Sequence, residues 1–156
     1  MTSKLKPDGP RGSEIWVDLA PHPISFLLAI LPKAVLASST VHATIGEEGT
    51  DAEFDLSTGD TVCHALIHTG KLAEGPFPRQ FGFDNHVADV GSAPDAQGVY
   101  RGTVSVDGCQ EMCDDFMKTS IGRFLGALRG DTAPLVDPHD GIRNLEIMLA
   151  VLEAIQ

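Results

Sequence analysis

The chain has 156 residues, 42% of them hydrophobic and 21% charged, enough for a domain with its own core. Acidic residues outnumber basic ones by 22 to 11, a net charge of −11 with no Lys/Arg cluster to offset it, which excludes non-specific binding to a phosphate backbone. Three cysteines are too few for a disulfide scaffold, and neither an apolar run of spanning length nor a signal-like apolar block is visible, so a cytoplasmic protein is expected, with no nucleic acid and no membrane among its partners.

Residues 1–13, "MTSKLKPDGPRGS", are polar with Pro and Gly and read as a flexible N-terminal arm. Residues 14–156 read as a single domain. Pro23 to Leu31 is expected to be helical, with Pro23 in the first turn and Pro32 as the stop. Strands are expected over 34–45, 50–57 and 61–69, separated by the turns "GEEG" and "STGD" and followed by the loop "GKLAEGPFP". "RQFGF" and "HVADV" flank Asp84-Asn85, a two-residue hairpin signal, and 98–106 supplies a last strand.

The period then changes. From about Cys109 to Arg129 the apolar residues Met112, Phe116, Met117, Ile121, Phe124, Leu125 and Leu128 recur at helical spacing, and Gly130 suits a C-cap. A final helix opens with Asp137 as N-cap and Pro138 in the first position. Ile142, Leu145, Met148, Leu149, Leu152 and Ile155 would form its apolar face. Strands and helices segregated in this way imply an α+β fold: an open, largely antiparallel sheet of about six strands with helices on one face.

The chemistry-bearing residues are few. There is no G-x-G-x-x-G, no G-x-x-x-x-G-K-[ST] and no G-x-S-x-G. Asp18 and His22 are four apart, a spacing that puts both on one side of a helix or tight turn. A carboxylate beside an imidazole suits a general acid/base, and equally a helix cap beside a backbone-bonded histidine. His64 and His68 on a strand share a face but stand about 13 Å apart, too far for one metal ion, so no metal site is expected. Cys109 and Cys113 read as small buried residues of a helix, and His42, His86 and His139 show no obvious partner.

"VDLAPHPIS" resembles the D-x-G-x-H-x-x-D motif of the Gfo/Idh/MocA oxidoreductases, a motif of their C-terminal domain. The tail "FMKTSIGRFLGALRGDTAPLVDPHDGIRNLEIMLAVLEAI" resembles their closing helices, which read like F-x-x-A-L-R-x-G followed by D-G-L-R-x-L-E. The resemblance runs from about Glu14 to Ile155, with Ala20 at the family's Gly and Ser25 at its closing Asp. It implies the substrate-binding half of an NAD(P)-dependent oxidoreductase acting on CH–OH groups of a sugar or polyol. It implies His22 as the proton relay and Asp18 as the residue that orients it or contacts substrate. NAD or NADP is implied for a full-length enzyme. No cofactor, and no turnover, is expected of this chain alone, because the dinucleotide-binding domain is missing. The family also implies a homo-oligomer formed through the open sheet face, where His64, Leu66 and His68 would lie, and a non-enzymatic assembly module is the alternative function.

Overall fold

The computed structural model describes residues 1–75, 77–134 and 136–155, with the Phe116 side chain left aside; Pro76 of the expected loop lies outside the described residues. In chain order the elements are β1 (Thr2–Lys4), α1 (Ser13–Leu19), α2 (Pro21–Ile30), β2 (Val35–Ile45), β3 (Gly49–Thr58) and β4 (Thr61–Leu72). They continue with β5 (Gln80–Phe83), β6 (His86–Pro94), β7 (Tyr100–Val106), β8 (Cys109–Met112), α3 (Phe116–Arg129) and α4 (Pro138–Ala154). The fold is α+β and largely antiparallel. Its strands divide into two four-stranded sheets rather than one sheet of about six. The chain likewise forms two compact units where one domain over 14–156 was expected: Met1–Phe77 with Pro138–Gln156, and Pro78–Asp137.

The first unit has strand order β1-β4-β3-β2, with β1 parallel to β4 and the other pairs antiparallel. Period-two alternation selects its faces. Ala52, Phe54 and Leu56 of β3 and Ala65 and Ile67 of β4 are buried, while His64, Leu66 and His68 point the other way. The buried face carries α1, α2 and α4, which contribute Trp16, Ile24, Leu28, Ile147 and Val151 to one core. Trp16 Nε1 donates to the Met148 carbonyl at 3.1 Å, so the largest core side chain is also satisfied. Between Ala37 and His42 the β2–β3 register shifts. There Thr40 repairs the ladder, its hydroxyl accepting from Asp55 N and donating to the Ala37 carbonyl, both at 2.8 Å.

Two expectations are corrected in this unit. Thr2–Lys4 of the expected flexible arm is strand β1, with Thr2 buried and Leu5 N donating to the Leu72 carbonyl at 2.8 Å. Backbone pairing at a sheet edge needs no apolar side chain, so composition does not announce it. The buried side of α4 is Asn144, Ile147, Met148 and Val151, whereas Ile142, Leu145 and Leu149 are exposed. Apolar residues lie nearly all round this helix, so their period does not single out one face.

In the second unit the sheet order is β5-β6-β7-β8, antiparallel throughout. Asp84-Asn85 makes the expected hairpin, Phe83 pairing with His86 and Asp84 taking φ of 50°. A second hairpin falls where a helix was expected. Asp107-Gly108, with φ of 50° and 81°, turns β7 into β8, so Cys109–Met112 is strand. The helix begins only at Phe116. Asp115 caps it, accepting from Lys118 N at 3.1 Å, and Gly130 ends it in the left-handed region.

Candidate functional site

Asp18 and His22 flank a helix junction. α1 ends and α2 begins at Ala20, which keeps helical dihedrals, and Ala20 N still donates to the Trp16 carbonyl at 2.8 Å. Pro21 and Pro23 lack an N–H, so the carbonyls four residues earlier, on Val17 and Leu19, lose their helical donors and one element becomes two. Trp16, Ala20 and Ile24 turn inward on this pair of helices, leaving Asp18 and His22 on outward positions.

The two candidates are not bonded to each other. Asp18 Oδ2 instead accepts from Lys71 Nζ at 2.6 Å. The Lys71 side chain is only 11% exposed and that of Asp18 50%, so the ammonium comes up from the sheet to a half-open carboxylate. Nothing in a linear reading joins positions 18 and 71, so the sequence gives no sign of this pair. Asp18 also lines an open groove of about 630 Å³ with Asp8, Ser13, Glu14 and Val17. The His22 side chain is exposed and makes no hydrogen bond or ion pair to another described residue. Its turn is held from below. Asn144 of α4 donates its amide to the Pro21 carbonyl at 2.9 Å and to Ser25 Oγ at 2.8 Å.

The outer sheet face of the same unit carries the other histidines. His64 Nδ1 lies 2.8 Å from Asp55 Oδ1 and its Nε2 3.9 Å from Glu53 Oε2, and His68 Nδ1 lies 2.8 Å from Asp51 Oδ1. Leu66 stands between them, 73% exposed. Among the described residues, no group of three or more His, Cys, Asp or Glu side chains is placed to hold a metal ion. No helix among them is long and apolar enough to cross a membrane.

In the second unit Arg101 is the hub. It reaches Asp95 and Asp115, each at 2.9 Å. Asp95 also accepts from Val99 N and Gln97 N at 2.9 Å; these backbone donors, the Val99 bond first, and the guanidinium hold its carboxyl below the usual range. Asp115 is held low in the same way, first by the Lys118 N–H and then by Arg101. Cys109 and Cys113 are exposed rather than buried, and His86 has a partner after all, Asp107 at 2.9 Å.

No protein-family model and no curated protein matches the chain. Two solved structures of UDP-N-acetylglucosamine 3-dehydrogenase GnnA from Acidithiobacillus ferrooxidans do, each with a TM-score of 0.64. They are 19% and 20% identical to this chain and cover 99% of it. The match takes up 50% and 51% of those structures, so the chain spans about half the length of the proteins it is similar to. At this identity the likeness establishes the fold.

Proposed function

We propose that this chain is the substrate-binding half of an NAD(P)-dependent oxidoreductase of the Gfo/Idh/MocA type, acting on a hydroxyl of a sugar or polyol. The observation that carries this is the fold likeness: almost the whole chain superposes on half of a nucleotide-sugar dehydrogenase. The Asp–x3–His pair on an outward helix surface agrees with it.

In this reading His22 is the proton carrier. It is exposed and engages no described partner, and imidazole exchanges a proton near neutral pH in either direction. Asp18, fixed by Lys71, acts on the substrate rather than on His22, and accepts a hydrogen bond from a second substrate hydroxyl. The residues of this chain do not fit a dinucleotide. The one parallel strand pair among the described residues is β1–β4; the turn from β1 into α1 carries Gly9 and Gly12 but not the G-x-G-x-x-G spacing of the pyrophosphate fingerprint. We therefore assign the hydride carrier to a separate nucleotide-binding segment and no step of its chemistry to these residues.

The test is ligand titration of the chain followed by NMR. UDP-N-acetylglucosamine, UDP-glucose and myo-inositol serve as probes at millimolar concentration. At least one is expected to shift the signals of Asp18, His22 and their neighbours saturably, and NADH is expected to show no saturable binding below millimolar. A flat response around His22 to every probe contradicts the reading.

A second reading, a homo-oligomer assembled through the outer sheet face, is favoured by one observation. Leu66 and Val62 are largely exposed on a face bearing the His64–Asp55 and His68–Asp51 pairs. Sedimentation at tens of micromolar tests it, and a monomer counts against it.

A further inference from the structure

We infer that Asn144 is a positioning residue for His22: the buried amide of α4 grips the turn that carries the imidazole. This inference rests on the reading of His22 as the proton carrier. Asn144 is one of the few buried polar residues, 9% exposed, and its neighbours on the buried side of α4 are Ile147, Met148 and Val151. A Leu there would pack in the same surroundings without the cost of burying an amide. What the amide does instead is specific. Its two bonds end on Pro21 and Ser25, the residues that bracket His22, from a position more than a hundred residues away in sequence.

The bracketed turn needs such support. Two of its residues, Pro21 and Pro23, can donate no backbone hydrogen bond, so the junction of α1 and α2 is weakly held by the helix itself. The Pro21 carbonyl is an acceptor only, which requires the amide nitrogen of Asn144 on that side. Both amide hydrogens then have partners, and the His22 backbone is tied on either side. In the D-G-L-R-x-L-E pattern that this tail resembles, Asn144 falls on the unspecified position, so no motif marks it.

The experiment follows the imidazole Cε1–Hε1 signal of His22 by NMR in the full chain, without ligand, in the Asn144→Leu and Ser25→Ala variants. The Trp16 indole N–H signal reports on the core for comparison. In Asn144→Leu the His22 line is expected to move by more than its width or to split into several, while the Trp16 line stays within its width. Ser25→Ala, which removes one of the two acceptors, is expected to give a smaller displacement in the same direction, and it carries the test if Asn144→Leu does not fold. A His22 line unmoved in the folded variants overturns the inference. So does an equal displacement of Trp16, which would make Asn144 a general packing residue. Because this readout needs no substrate, it can fail while the sugar titration succeeds, or succeed while the titration fails.

Discussion

Lys71 Nζ lies 2.6 Å from Asp18 Oδ2, and this bond ties the end of β4 to the last turn of α1. The two ends of the pair are unequally buried, 11% for Lys71 and 50% for Asp18, so its two halves are not equally replaceable. Removing the carboxylate leaves a nearly buried ammonium without its counter-charge, whereas removing the ammonium leaves a carboxylate that water can reach. Asp18→Asn is therefore expected to destabilise the chain by about 1–3 kcal/mol, and Lys71→Met by clearly less. Urea unfolding of the two variants checks this, and the reverse order would contradict the burial argument.

His22→Ala is expected to leave stability within about 0.5 kcal/mol of wild type, as for surface substitutions that break no named contact. It is also expected to abolish the saturable response of the site to the sugar probes. Thermal melting and the NMR titration measure the two effects separately.

The Arg101 cluster makes stability depend on acid. The carboxyls of Asp95 and Asp115 are held below the ordinary carboxylate value by backbone N–H donors and Arg101. A carboxyl whose folded value is depressed contributes its full stabilisation above its unfolded value, about 3.9, and loses it as pH falls through the lower folded value. Unfolding midpoints in urea are thus expected to fall as pH drops below about 4. Asp95→Asn is expected to lower stability at pH 7 and to flatten this acid dependence, because Asn cannot lose a charge.

Gly49 and Gly59 are expected to resist substitution for different reasons. A Cβ on Gly49 would stand 2.6 Å from the Thr69 carbonyl oxygen, so Gly49→Ala has to push β3 from β4 and is expected to cost about 1–3 kcal/mol. Gly59 has φ of 58° and open space around it, so Gly59→Ala carries only the left-handed backbone penalty, roughly 1 kcal/mol. Denaturant melts of the two variants rank them.

If the outer sheet face assembles copies of the chain, Leu66→Asp is expected to shift the sedimenting species to monomer with unchanged circular dichroism. Leu66 is 73% exposed, so the substitution touches assembly and leaves the core alone.

Much of the fold is determined by local sequence. Period-two alternation marks β3 and β4 and their buried faces, Asp84-Asn85 marks its hairpin, and Gly130 ends α3 where a left-handed residue is needed. Asp107-Gly108 carried an equally good hairpin signal, but the helical spacing that follows it masked the signal and drew the helix start back to Cys109. Other features were decided only in three dimensions. Edge pairing of Thr2–Lys4 depends on backbone groups that every sequence has. The buried side of α4 depends on which of several apolar stripes meets the sheet. Asp18 and His22 could be named from their spacing, yet Lys71, which pairs with Asp18, and Asn144, which bonds Pro21 and Ser25 on either side of His22, come from β4 and α4. Spacing within a helix reports which residues share a surface. Which distant side chains arrive at that surface is set by packing, where a buried charge or amide takes whatever partner the tertiary structure brings within hydrogen-bond reach.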